Sequence, residues 1–405
     1  MRLDERGMVT RHAPPVILPR PNPTPMKKIA MVAAPVHPVP PRKGAAVEWW
    51  MYQVCLRLAS VEPHIFCVAA GHLPNSESRD GVVFHRIRLG DLYRRVFQKI
   101  LGMDPYSYAK RVARRLDSVR PAIVHVHNAP GLFTELVRHR PGTARLILHM
   151  HNEMAVTELP PGAVLFAVSR YLRDWYAERL PGTDIRIVTN GVDTGVFRPL
   201  PSTEIAVRRT RLGLPTDKKI ILYAGRISPE KGPLDLVRAF GELRKSRHDV
   251  LLILAGEVRT GTDRRGAYGR ELLAACKEFG RDCYHAGTVD PARMHEYYQA
   301  ADLAVVPSEF EEPFGMVAIE AMAAGAPVLA TRKGGLPEIV RDGVTGFLLE
   351  DAKNPVLFAR RLDALLNDTA RLATVRDNAR AYVVRHHDWR TVVAQLETVY
   401  QELTG

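Results

Sequence analysis

Residues 308–331 read SEFEEPFGMVAIEAMAAGAPVLAT, and the order of residue types in them spells loop, helix, loop, strand. The run before it, LAVVPS (303–308), and its closing PVLAT (327–331) are short and apolar, as strands of a buried parallel sheet are. Between them Pro313 suits a helix entry, MVAIEAMAA (316–324) consists largely of good helix formers, and Gly325 followed by Pro327 is a stop signal. The helix is apolar nearly all round, so it is expected to be buried. Glu320 stands within it, where a lone ionised carboxylate costs several kcal/mol unless hydrogen-bond donors satisfy it. At the start of the helix the backbone N–H groups around Gly315, Met316 and Val317 make a ready site for a phosphate or for polar sugar groups. A carboxylate just inside that end could grip the two hydroxyls of a ribose, and Glu312, on the loop before it, could reach hydroxyls of whatever the phosphate carries. The blander alternative pairs Glu320 with a core arginine and leaves Glu312 as a solvated loop acid.

Working outward, YAGRISPEKG (223–232) leaves a strand, turns at Gly225 and presents Arg226 and Lys231 on one loop. Two cations there can face a diphosphate, each with roughly 4 kcal/mol of gross attraction at about 4 Å for an effective dielectric near 20. KKIILYAG and VLLILAG extend the same strand and helix alternation, and an earlier series consists of KKIAMVAAP, HIFCVAA, AIVHVHN, RLILHMHN and AVLFAVS. GAAVEWWMYQVCLRLA, after the first of these, has helical spacing. The expected architecture is α/β, with two similar doubly wound domains joined near residues 197–215. The expected boundaries are 26–200, 201–385 and a final helix over 386–405, after a Pro-rich leader, 1–25, that reads as disordered or extended.

The 405 residues, 46% hydrophobic and 25% charged, suit an ordinary globular protein of two domains. No apolar run of about 18 or more residues and no apolar N-terminal segment ending in small residues appears, so a cytoplasmic location is the default expectation. Cys55, Cys67, Cys276 and Cys283 are scattered without a CxxC pair, which argues for structural thiols rather than disulfides or zinc. The net charge of +13 points to anionic partners. A nicotinamide-dependent dehydrogenase should show Gly-x-Gly-x-x-Gly after its first strand, and AAPVHPVPPRKGAA does not. No helix-turn-helix, finger or RNA-recognition sequence supports nucleic acid as the partner.

Glu312 and Glu320, with seven residues between them in the form SEFEEPFGMVAIEAMAAGAPVLAT, resemble the signature of the retaining, nucleotide-sugar-dependent family 4 glycosyltransferases of the GT-B fold. NGVDTGVFRP, YAGRISPEKG, AADLAVVPS and GGLPEIVRDGVTGFLLE share the resemblance, which covers roughly residues 26–400. It implies two Rossmann-like domains facing across a cleft, with the donor held mostly by the C-terminal one at the carboxyl ends of its strands. It further implies that Glu320 holds the ribose, that Arg226 and Lys231 neutralise the diphosphate, and that Glu312 meets the transferred sugar. The backbone from Phe314 to Val317 would bind its hydroxyls and the distal phosphate, and the base would lie beside Val289 in HAGTVD (285–290). Charge stabilisation of the departing nucleotide is then the main catalytic effect. No Asp-x-Asp triplet is present, and such enzymes generally need neither metal nor cofactor.

On the N-terminal side, PRKGAAVEWW (41–50) takes the place of the family's glycine-rich loop, with Gly44 followed by Ala45 where the family often has two glycines. His151 matches the family's histidine near the transferred sugar. His149 reads as a core histidine, and His127 is a candidate for acceptor contact. HHDWRTVVAQLETVYQEL (386–403) resembles the final helix that returns to the N-terminal domain. The basic segment 86–120 is open to two readings, an acceptor or anionic-membrane surface and a solvated face. The implied activity is transfer of a hexosyl group from a nucleotide diphosphate sugar, a UDP-sugar ahead of a GDP-sugar. The acceptor is a glycan, a lipid-linked or a small-molecule hydroxyl, in cell-surface polysaccharide synthesis or a specialised route. A non-catalytic sugar-binding or coat protein of the same fold is the alternative, and a peripheral place at the inner face of a membrane stays open.

Overall fold

The computed structural model describes residues 26–41, 45–71, 73–89, 107–139, 142–258 and 263–405. The leader, Gly44 and residues 90–106 of the basic segment lie outside them. The chain divides into two compact units, one of residues 191–388 and one of the described residues up to 190 together with 389–405. The sequence reading set its divisions at 200/201 and 385/386.

The N-terminal unit is built on β1 (Lys27–Val32), β2 (Val61–Val68), β3 (Ser76–Arg79), β4 (Val82–Ile87), β5 (Ile123–His127), β6 (Arg145–Met150), β7 (Val164–Ala167) and β8 (Asp184–Ile187). They form one sheet in the order β3-β4-β2-β1-β5-β6-β7-β8. All pairings are parallel except the β3–β4 hairpin. Helices α1 (Ala46–Cys55), α2 (Tyr108–Val119), α3 (Pro130–Arg138) and α4 (Arg170–Ala177) cross over between strands. The hairpin is a departure from the sequence reading, which began its basic surface at residue 86. Asp80 and Gly81, both at positive φ, make its two-residue turn. Arg86 on β4 is only 1% exposed, and its guanidinium donates to Glu77 (2.6 Å) and to the carbonyls of Pro74 and Val39. Of the remaining basic segment, α2 is amphipathic: it buries Val112, Ala113 and Leu116 and leaves Arg114 and Arg115 exposed.

The C-terminal unit contains α5 (Ser202–Arg211), β9 (Lys219–Ala224), α6 (Pro233–Arg244), β10 (Val250–Ala255), α7 (Arg264–Lys277), β11 (Cys283–Gly287), α8 (Met294–Ala300) and β12 (Leu303–Val306). After them come α9 (Met316–Ala324), β13 (Val328–Thr331), α10 (Leu336–Ile339), β14 (Phe347–Leu349), α11 (Pro355–Asn367) and α12 (Thr369–His387). The sheet is wholly parallel in the order β11-β10-β9-β12-β13-β14. Counted from β9 this is 3-2-1-4-5-6, the order of dinucleotide-binding sheets, and its direction reverses between β9 and β12. Ligands bind outside the carboxyl ends of strands at such a reversal. Aliphatic residues of β9, β10 and β12 pack against α6 and α11 to form the core.

α13 (Trp389–Thr404) belongs to the N-terminal unit, where Trp389, Val392, Val393, Leu396 and Tyr400 join the core around Trp50. Glu397 accepts hydrogen bonds from the N–H groups of Ala59 and Ser60, both at 2.7 Å. His386 and His387, read with the last helix, instead end α12. All four cysteines are buried and free.

Candidate active site

The loops that leave β9 and β12 are locked together at the reversal point of the C-terminal sheet. Gly232 (φ 67°) lies so close to the β12 loop that a Cβ there would sit 2.0 Å from the Pro307 carbonyl oxygen. The N–H of Glu309 donates to the Glu230 carbonyl (3.0 Å). At the first turn Gly225, with φ 145°, is approached by Gly256, whose Cβ would meet the Gly225 oxygen at 1.9 Å. The Tyr223 hydroxyl donates to the Arg226 carbonyl (2.6 Å). The Arg226 side chain is exposed and forms no hydrogen bond or ion pair among the described residues.

Lys231 and Glu312, 81 residues apart in sequence, form a 2.7 Å ion pair. Glu312 is 7% exposed, so it is not the solvated loop acid of the blander reading. Its carboxylate also accepts from the Ser308 hydroxyl (2.5 Å), and the Lys231 ammonium lies 4.5 Å from the centre of the Phe310 ring. Gly334 and Gly335 press on the same loop from β13. The N–H of Gly335 donates to the Glu312 carbonyl (2.7 Å), and a Cβ on Gly334 would meet Glu312 backbone atoms at 2.2 and 2.6 Å.

α9 starts and stops where the sequence punctuates it, with Gly315 (φ 115°) before Met316 and Gly325 (φ 88°) after Ala324. No side chain caps its N-terminus, so the N–H groups of Met316 and Val317 remain available as donors. Phe314 is buried against the His387 ring, 5.4 Å between centres. At the other end, Arg380 donates to the carbonyls of Ala323, Phe197 and Thr194, a cation where the helix dipole is negative. Glu320 is partly buried and accepts one hydrogen bond, from the Tyr298 hydroxyl at 3.1 Å. Burial pushes its carboxyl up to about 7, with the Tyr298 bond opposing the shift, and no arginine partners it among the described residues. Val289 follows the outer strand β11 and is partly exposed.

Sequence reading thus named the charged members of this constellation and missed their supports. Ser308 ends a recognised strand and could have been suspected. Tyr298 and Phe310 gave no signal, because nothing in a helix or loop reports a contact made across the fold. Gly334 and Gly335 stood in a recognised motif without an assigned task.

In the N-terminal unit Ala45 precedes α1 in the left-handed conformation (φ 59°, ψ 64°) that ordinarily favours glycine. His151 lies just past β6. Its N–H donates to the Asn128 side-chain oxygen (3.1 Å), its Nε2 faces Nδ1 of His127 at 3.4 Å, and burial pushes its imidazole down to about 3. His127 is fully buried, so its ring is closed to an acceptor in this structure. His149 is fully buried, as expected of a core histidine, but its ring nitrogens lack the full hydrogen bonds of a satisfied one among the described residues.

Residues 205–382 match the family described as glycosyl transferases group 1, and residues 47–196 match glycosyltransferase family 4. The chain is 36% identical to the lipopolysaccharide 1,2-N-acetylglucosaminetransferase of Salmonella typhimurium, over 92% of this chain and 97% of that one. It is 28% identical to spore coat protein SA of Bacillus subtilis, over 93% and 99%. Among solved structures it is similar to sucrose-phosphate synthase from Thermosynechococcus elongatus, with a TM-score of 0.75 at 23% identity, over 93% of this chain and 99% of that one. It is also similar to Anabaena HepE in complex with UDP and glucose, with a TM-score of 0.71 at 18% identity and the same two coverages. A relative of that identity along nearly its full length, and two family matches that divide the chain between them, make this protein a member of the family 4, group 1 glycosyltransferases, with the GT-B fold.

Proposed function

We propose that the chain is a retaining hexosyltransferase that moves a sugar from a UDP-sugar to a hydroxyl of a cell-surface glycan or glycoconjugate. The observation that carries this reading is the Lys231–Glu312 pair, its carboxylate buried and its ammonium half-buried, at the sheet reversal, with exposed Arg226 and the uncapped start of α9 on the same two loops. A diphosphate entering there meets Arg226, Lys231 and the N–H groups of Met316 and Val317, while Gly225 keeps the turn open to its oxygens. As the bond from anomeric carbon to phosphate oxygen breaks, the electron pair leaves with the nucleotide, and these positive groups stabilise it. Glu312 orients the transferred sugar with Phe314 and Gly315, Glu320 holds the ribose hydroxyls, and Val289 lies beside the base. Of the N-terminal unit, His151 and Ala45 are proposed as donor-contacting residues, together with Gly44, which lies outside the described residues. The departing phosphate accepts the proton of the acceptor hydroxyl, so the transfer step requires no metal.

UDP as the nucleotide is favoured by the UDP and UDP-glucose complexes of Anabaena HepE, and N-acetylglucosamine is the first sugar to test, given the Salmonella relative. A cytoplasmic site, peripheral to the inner face of a membrane, suits both substrates; no described helix is long and apolar enough to cross one. The experiment is UDP release from UDP-N-acetylglucosamine, UDP-glucose and GDP-mannose with truncated glycan acceptors, in EDTA, with the product's anomeric configuration read by NMR. Retained configuration with a UDP-sugar is expected; inversion or a metal requirement would refute the mechanism. The relation to a spore coat protein favours a second reading, sugar binding without transfer. Donor binding with no turnover on any acceptor would select it.

A further inference from the structure

Four histidines of the N-terminal unit gather at one place, and the sugar-transfer reading uses only one of them. β5 carries His125 and His127, and β6 carries His149 with His151 just beyond, each pair spaced by two and so on one side of its strand. His127 and His149 are partners in the parallel register. The rings of His125 and His127 stack at 4.2 Å, those of His149 and His151 lie 4.3 Å apart, and Trp50 packs over the patch, 4.8 Å from His149 and 5.1 Å from His127. His125, His127 and His149 have no exposed surface.

Their hydrogen bonds do not add up to a satisfied core. His125 Nδ1 is held by the Tyr400 hydroxyl at 2.7 Å, and His127 Nδ1 by His151. Among the described residues, Nε2 of His125, Nε2 of His127 and both ring nitrogens of His149 are buried without a full hydrogen bond, the His149 ring having only a minor interaction with the Val188 backbone. Buried polar atoms are nearly always paired with protein, water or an ion, so this group of orphans demands an occupant. One ring nitrogen from each of the three lies within 4.8 Å of the others. A ligating histidine typically engages its second nitrogen in an outer hydrogen bond that fixes the tautomer, which is what Tyr400 and His151 do for His125 and His127.

We propose that His125, His127 and His149 form a three-imidazole site for a divalent transition metal of the Zn2+ class, tying β5 to β6 in the N-terminal unit. An all-nitrogen set suits Zn2+, Ni2+ or Cu2+ and not the oxygen-seeking Mg2+ or Ca2+. Zn–N bonds of about 2.0–2.1 Å place tetrahedral ligands about 3.4 Å apart, so capture draws the three rings together. A fourth position is left for water. None of the three histidines is a donor-contacting residue, so the site stands whether or not the transfer mechanism does.

The test uses the untagged full chain, stripped with chelator, dialysed against Zn2+ and titrated separately with Co2+. About one equivalent of Zn2+ should survive gel filtration, and bound Co2+ should give the intense visible bands of a tetrahedral site. His149→Gln should retain less than about a tenth of an equivalent while keeping the wild-type circular dichroism. Should that variant fail to fold, His127→Gln serves as the second variant and the wild-type Co2+ spectrum decides the coordination. Absence of retained metal would overturn the proposal and leave the orphaned nitrogens to ordered water. Equal retention in the variant, or the weak spectrum of octahedral Co2+, would overturn it by locating the metal at a surface.

Discussion

At Glu320 the local chemistry can be read as a dependence on pH. Its carboxyl keeps its proton up to about pH 7 in the folded protein, against an ordinary value of 4.5. Between those values the native state holds a proton that the unfolded chain has released, so stability falls as pH rises through the window. At about 1.4 kcal/mol per unit the loss reaches roughly 3 kcal/mol above pH 7. Glu320→Gln should therefore be more stable than the parent at pH 8, by up to about 3 kcal/mol, and close to it near pH 4.5, in urea unfolding at both pH values. Identical pH profiles would show that burial does not perturb this carboxyl. Donor hydroxyls favour the ionised form, so UDP affinity should weaken below about pH 7 if Glu320 holds the ribose. Ala45 gives a second test. Its left-handed backbone costs an L-residue roughly 1–2 kcal/mol, so Ala45→Gly should raise the urea midpoint, and a lower one would mean that the methyl group is packed. The residue types at these sites were legible in the sequence. The Lys231–Glu312 pairing was not, because its 81-residue separation is set by the sheet order and not by any local pattern.

The elements around the site depend on glycines in two different ways. Gly315 and Gly325 punctuate α9 at positive φ; the sequence reading obtained Met316–Ala324 from Pro313 at its entry and from Gly325 with Pro327 at its end, and gave Gly315 no part in the start. Gly334 acts by close approach, with Glu312 backbone atoms where a Cβ would be. Gly334→Ala should cost about 1–3 kcal/mol by overpacking, in addition to the strain of its positive φ, and should displace Glu312. Gly213→Ala is the control, with φ 69° and open space for its Cβ. Urea midpoints for both variants separate the effects: equal losses would reduce the Gly334 effect to backbone strain. The elements not anticipated lacked such marks. β3 reads SESR, polar and at the sheet edge; β8 reads DIRI; β14 has three residues, FLL. The β3–β4 hairpin carried one local mark, the Asp80–Gly81 turn, which the sequence reading did not use.

Over the whole molecule, the two-unit plan was legible because buried parallel strands are continuous apolar runs, whereas the place where the chain changes unit was not. It leaves the N-terminal unit after Asn190 and returns at Trp389, inside turn-rich or helical sequence where no change of composition marks the crossing. The return makes the last helix a component of the first unit's core. Leu396 on α13 is fully buried in a cluster with Ile29 and Met31 of β1, Ile65 of β2, and Trp50 and Val54 of α1. Trimming it to alanine removes apolar contacts on the inner side of that core and leaves a cavity, so Leu396→Ala should cost about 2–5 kcal/mol. Hydrogen exchange locates the effect: protection should fall over β1, β2 and α1, far from Leu396 in sequence. A loss below about 1 kcal/mol, or exchange that quickens only within 389–405, would mean that α13 is an appendage and that the N-terminal core closes without it.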